Sequence, residues 1–144
     1  MQNQLALARI RRRVMQLAVI IAAPDALLPT FGSTEDWGRP HIEVVGELPY
    51  YVVVERGQEL TRESFADDDA LLERVFNSVT VEMAGEFELR NRRSIEDPRR
   101  LLFAKQLELI ATLDPEWAAR SRARITNILR EFPFVDQLEP KDAI

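Results

Sequence analysis

Two short β-favouring runs stand close together in the middle of this chain, His41 to Val45 and Tyr50 to Glu55. Gly46, Glu47, Leu48 and Pro49 lie between them. Branched and aromatic residues fit a pleated, half-buried surface, and turn-forming residues between two such runs predict a β-hairpin, here with a four-residue connection. Tyr50, Val52 and Val54 face one way, and Tyr51, Val53 and Glu55 the other. Both faces are apolar, so this strand is expected to be central or covered on both sides. Gly57 ends it, because glycine takes the positive φ of a tight turn without a steric cost. Gln58 to Ser64 is polar and reads either as a turn or as a turn followed by a short third strand.

Helical patterns flank the hairpin. Leu7, Ile10, Val14, Leu17 and Ile21 recur at steps of three and four, which predicts an amphipathic helix from about Gln4 to Ala22 that stops before Pro24. Arg11 to Arg13 followed by the apolar run from Val14 to Ala23 also resembles the start of a signal peptide. The run is too short to span a bilayer, and no clean small-x-small cleavage site precedes Asp25, so the helix is the reading preferred. Pro24 to Pro40 reads as a loop, with Phe31 and Trp37 read first as anchors that pin it to the core.

Asp67, Asp68 and Asp69 sit where acids favour a helix start. Leu72, Val75, Phe76, Val79, Met83 and Phe87 continue as its buried stripe, with a bend allowed at Val79-Thr80-Val81 and Gly85. Asp97-Pro98 and Asp114-Pro115 each pair a capping side chain with a proline suited to the first helical position. The apolar side of the third helix is Leu102, Phe103, Leu107, Ile110 and Leu113. That of the fourth is Trp117, Ser121, Ile125, Ile128, Leu129 and Phe132, up to Pro133. The expected fold is therefore α+β: an N-terminal helix (1–22), a central antiparallel hairpin or small sheet (41–57), and three helices packed against it (67–133). A loose tail (134–144) follows, with Phe134 and Val135 the residues able to dock.

Composition sets the function classes. A chain of 144 residues, 46% hydrophobic and 30% charged, matches one globular domain with its own core. There is no cysteine, which removes disulfides, thiolate nucleophiles and cysteine metal sites and is compatible with the cytoplasm, the expected location. Net charge is −5, which as a whole repels nucleic acid.

Catalytic patterns are scarce. No glycine spacing fits a nucleophile elbow, a phosphate loop or a dinucleotide fingerprint. His41 is the one histidine and reads as structural. Glu82 and Glu86 lie four apart and could share a metal, but without a third ligand they read as a solvated helix face. Arg90, Arg92, Arg93, Arg99 and Arg100 form one cluster, and Arg120, Arg122 and Arg124 another. Their neighbours are acids and their aromatics sit on buried stripes, so they read as arginine–carboxylate bracing rather than a nucleic-acid surface. A nucleic-acid-associated regulator and, behind it, a carboxylate metal enzyme stay open as alternatives to a protein-binding role.

The order and spacing of several pieces carry a resemblance. Tyr50-Tyr51-Val52-Val53-Val54 runs into Glu55-Arg56-Gly57 and then Glu59-Leu60. Leu71-Leu72, Phe76 and Met83-Ala84 follow on a helix. Then come Asp97-Pro98-Arg99-Arg100 to Phe103, Gln106 to Leu109, and Trp117. This arrangement, from Tyr50 through Trp117, resembles immunity protein family 63, small antitoxins encoded beside bacterial polymorphic toxins. The resemblance implies a protein that binds and neutralises one cognate toxin domain, with no catalysis, no cofactor, and neither nucleic acid nor membrane as partner. Among its motif residues Tyr51, Glu55, Arg56, Gly57, Arg99, Arg100, Phe103 and Trp117 are expected to hold the scaffold, with Glu55 and Arg56 fixing the hairpin against the Arg99-Arg100 helix start. The contacts expected to face the toxin are Trp37, Glu47, Tyr50, Asp67, Asp68 and Asp69. Aromatics anchor interfaces and acids suit a basic partner.

Overall fold

The structure, a computed structural model, describes residues 1–137. Helix α1 (Gln2–Ile20) is followed by a short 3-10 turn (Asp25–Leu27) and four strands, β1 (Thr30–Phe31), β2 (His41–Val45), β3 (Leu48–Glu55) and β4 (Gln58–Ser64). Helices α2 (Asp68–Arg90), α3 (Pro98–Leu113) and α4 (Pro115–Glu131) complete an α+β chain. It divides into two compact units, Met1–Val79 and the part from Thr80 onward, with the boundary inside α2.

In the first unit, α1 buries Ile10, Val14 and Leu17, with Ile21 buried just after it. It ends at Ile20, slightly short of the expected Ala22, because Ala22 takes a left-handed φ of 53°. The N–H groups of Ala22 and Ala23 return to the carbonyls of Val19 and Ala18. That closes the helix with the two bonds of a Schellman motif.

The sheet runs in the order β1-β2-β3-β4. Val45 pairs with Leu48 and Val44 with Pro49, so the hairpin loop is two residues, not the expected four. Gly46 and Glu47 both have positive φ, 57° and 68°, the signature of a primed turn whose twist matches that of the strands. Pro49 is tolerated because it sits near the strand's start. A second two-residue turn, Arg56-Gly57 (φ 52° and 75°), joins Glu55 to Gln58. Of the two readings of Gln58 to Ser64, the strand is the one realised, seven residues long. β3 is thus central, as its two apolar faces required: Tyr51 and Val52 point to opposite faces and both are buried.

The stretch expected to be loop throughout contains β1, which pairs parallel with β2 through Thr30 and His41. Two residues between Pro29 and Gly32 leave no alternation for a pattern to register. Phe31 is half-buried, but Trp37 is 72% exposed and is not a core anchor. Asp67 caps α2, its Oδ1 accepting the Ala70 N–H at 2.9 Å. Leu71, Leu72, Val75, Phe76 and Val79 then fill this unit's core.

In the second unit, α3 and α4 pack together. Asp97 caps α3 through the Arg99 N–H, and Asp114 caps α4 through the N–H groups of Glu116 and Trp117. The buried face of α3 is Gln106, Leu109 and Ile110, while Leu102, Phe103, Leu107 and Leu113 are half-buried. On α4, Trp117, Ala118, Ser121 and Ile125 are buried. Leu129 is half-buried, and Ile128 and Phe132 point outward, against expectation. Arg99 holds that end of α4 by the backbone carbonyl of Phe132 (2.8 Å), which leaves the ring free. The tail is docked as far as Gln137, whose N–H donates to the Ile95 carbonyl at 2.8 Å. The rest of the expected loose tail lies outside the described residues.

Candidate functional site

At the end of β3, a loop and a turn lock together. The Asp36 carbonyl accepts the Arg56 N–H (3.1 Å) and its Oδ1 accepts the Gly57 N–H (2.8 Å). Thr34 Oγ1 accepts the Asp36 N–H (2.9 Å), and the Gly38 N–H donates to the Val54 carbonyl (2.9 Å). Trp37 pairs with Glu55 in an isolated antiparallel bridge. These bonds fix the backbone and leave the indole in solvent. Its Nε1 donates to Glu35 Oε2 (3.0 Å), and the other Glu35 oxygen receives Arg39 Nη1 (3.2 Å). Glu55, Arg56, Gln58 and the exposed Leu60 line an open hollow of about 500 Å³ at the same turn. The result is an exposed aromatic on a rigid mount, with Glu35, Asp36 and Glu55 around it and an apolar neighbour at the turn. Such a surface suits protein contact: an anchor that loses little entropy on binding, and a rim of charge.

The other expected contact residues lie elsewhere. Glu47 is at the opposite end of β3, its N–H on Asn3 Oδ1 (3.1 Å). The strand between it and Trp37 spans roughly 23 Å. Tyr50 is half-buried, with the Arg62 guanidinium 5.4 Å from its ring centre. Arg62 is held by Glu59 (2.7 Å) and Glu43 (3.0 Å), and Glu43 also meets His41 Nε2 at 2.9 Å. The His41 hydrogen bond, aided by Arg62, holds the Glu43 carboxyl below its ordinary pKa. Asp67 is a helix cap, Asp68 pairs with Arg9 (2.7 Å), and Asp69 stands in the first turn of α2. The six residues therefore do not form one patch: Trp37 stands apart from the other five.

The motif residues take the following positions. Tyr51 is buried, with Arg74 4.1 Å from its ring centre and its hydroxyl 3.3 Å from Ser78 Oγ. Glu55, Arg56 and Gly57 form the turn just described, and Trp117 is buried in the second unit. Arg99 and Arg100 anchor a knot at the start of α3. Asp97 receives the Arg99 side chain (2.8 Å) and the Val135 N–H (2.9 Å). Arg99 also donates to the carbonyls of Phe132 and Pro133, both at 2.8 Å. Arg100 pairs with Asp136 (3.1 Å), which accepts the Asp97 N–H (2.8 Å). Phe134 packs 6.3 Å from Phe103, and Arg100 stacks over it at 4.3 Å. The Arg99 guanidinium, joined by the two N–H donors, holds the Asp97 carboxyl well below the usual carboxylate range. The ion-pair partners of Arg99 and Arg100 at this helix start are Asp97 and Asp136. Asp97 was legible as a cap; Asp136 carries no sequence signal.

The remaining candidates resolve simply. Arg92 pairs with Glu88 and Arg93 with Glu96, both at 3.0 Å, so these arginines of the first cluster brace carboxylates, whereas Arg124 of the second donates to Ser121 Oγ (3.0 Å). Glu82 and Glu86 are exposed on α2. Among the described residues no group of three or more His, Asp or Glu side chains could hold a metal ion, and no helix is long and apolar enough to cross a membrane.

The family model Imm63, described as Immunity protein 63, matches residues 49–127, just over half of the chain. The match runs from the start of β3 into α4 and takes in the turn at Gly57, the buried Tyr51, Asp97, Arg99 and Arg100 of the knot, and Trp117, while Trp37 and Glu47 fall before it and the knot's partners from Phe132 to Asp136 fall after it. No curated protein and no solved structure matches the chain. With the family model matching more than half of its length, this chain belongs to the Immunity protein 63 family.

Proposed function

We propose that this protein neutralises a cognate bacterial polymorphic toxin in the cytoplasm by binding the toxin domain, with no catalytic step and no cofactor. Membership of the Immunity protein 63 family is the observation that carries this reading. We place the contact at the Trp37 end of the sheet. The exposed indole serves as the anchor, and Glu35, Asp36 and Glu55 meet basic groups on the toxin. The net charge of −5 favours approach to a basic partner. Trp37 precedes the stretch that the family model covers, so it can differ between members without disturbing the shared scaffold. That freedom is what recognition of one particular toxin requires.

The test is rescue. The C-terminal domain of any large secreted protein encoded immediately upstream is expressed in a bacterial host, alone and with this chain. Restored growth on co-expression supports the proposal. Undiminished toxicity with both proteins folded and abundant refutes it.

A further inference from the structure

Helix α1 inverts the charge of the molecule. The first 24 residues hold four arginines, Arg9, Arg11, Arg12 and Arg13, and no acidic residue, in a chain of net charge −5. Arg9 is paired with Asp68, whereas Arg11, Arg12 and Arg13 form no ion pair among the described residues. Beside the helix's buried stripe runs an open groove of about 740 Å³, lined by Leu7, Ala8, Met15 and Val19 with Phe31 of the edge strand β1. Arg11 and Arg12 also line it, and the Arg11 guanidinium stands 6.0 Å from the centre of the Phe31 ring. Val19 is 79% exposed. From Gln4 to Val19 the groove follows α1 for roughly 22 Å, about four helical turns.

We infer that this groove docks an amphipathic helix of a partner protein, one whose apolar stripe is flanked by Asp or Glu. An apolar floor of this length, open along one side, accepts the i, i+3, i+4, i+7 side chains of a helix. The unpaired guanidinium groups at its edge select acidic flanks, because like charges there would be repelled and left unpaired. Phe31 of β1 stands beside α1 and gives the groove a second wall, which a helix lying alone on a lipid surface lacks. Every lining residue lies outside residues 49–127 and outside the Trp37 surface, so the two sites can be altered separately. The inference does not depend on the toxin reading.

The probe is a labelled peptide of about 15 residues with leucines at helical spacing and glutamates beside them, titrated into the full chain. Anisotropy gives affinity, and backbone amide shifts give the place. We expect saturable binding that shifts the amides of Leu7, Met15, Val19 and Phe31. Replacing the peptide's glutamates by lysine, or its leucines by serine, should weaken binding at least about tenfold. The Arg11→Glu/Arg12→Glu variant should reverse the charge preference, and Val19→Glu should weaken both peptides while leaving the circular dichroism unchanged. The inference is overturned by equal binding of acidic and basic peptides, by shifts confined to other elements, by no shifts at all, or by binding to phosphatidylglycerol vesicles without binding to the peptide.

Discussion

Trp37 is 72% exposed, so truncating it to alanine removes far more contact area from a partner than from the fold. A tryptophan offers up to about 250 Å², of which the exposed share is about 180 Å². At about 25 cal/mol per Å² its complete burial would be worth about 4.5 kcal/mol. Ordering costs and incomplete burial reduce this towards the 2–4 kcal/mol typical of an anchor residue, and about 3 kcal/mol raises Kd about 150-fold. The buried remainder, about 70 Å², and the solvent-facing Nε1 bond to Glu35 contribute about 2 kcal/mol to folding, which lowers Tm by some 6 °C. The backbone bridge from Trp37 to Glu55 does not need the indole. Calorimetric titration against the toxin domain, with thermal denaturation followed by circular dichroism, reads both quantities. A fall in Tm of more than about 10 °C would make the indole structural. Unchanged stability with Kd within about threefold of the parent would show that an exposed aromatic ringed by acids does not mark this interface.

Other consequences follow from the caps and turns. Asp97 has a depressed pKa in the fold, so its ion pair stabilises the protein above its ordinary value of 3.8 and that contribution is lost as pH falls below about 4. Asp97→Asn should lower Tm near neutrality and flatten this loss on acidification; identical Tm–pH curves for variant and parent would contradict the knot. Gly57 has a φ of +75° in open space, so Gly57→Ala should destabilise by about 1 kcal/mol in urea unfolding through backbone strain alone. Gly85 lies within α2 with nothing close enough to meet a new methyl, and Gly85→Ala should stabilise by about 1 kcal/mol. Equal effects of the two substitutions would break the assignment of these backbones.

What the sequence disclosed was local chemistry, and what it withheld was tertiary. Asp97-Pro98 and Asp114-Pro115 mark helix starts because cap and proline act within three residues, and both are realised. β3 announces itself as central because no edge strand needs two apolar faces. The hairpin loop reads as four residues because Leu48 and Pro49 look like punctuation, whereas positive φ at Gly46 and Glu47 completes the turn without them. β1 is too short to show a period. Ile128 and Phe132 read as inward, and Trp37 in one of its two readings, because apolar side chains default to a core. Periodicity marks the face of a helix but not where along it the neighbouring element stops. Asp136 could not be found at all, since its partner Arg100 is 36 residues away. For the candidate site, Trp37 was named from its residue type, but its rigid mount on the Arg56-Gly57 turn depends on a pairing that only the folded chain makes.

Binding and silencing of a toxin by this chain is open to a direct test. The direct measurement is calorimetric titration of the purified upstream-encoded toxin domain with the full chain, with the domain's activity assayed in the same samples. We expect saturable binding of nanomolar affinity and activity that disappears in step with occupancy. A folded, active toxin domain that gives no binding heat at several temperatures and keeps full activity in excess of this chain would contradict it.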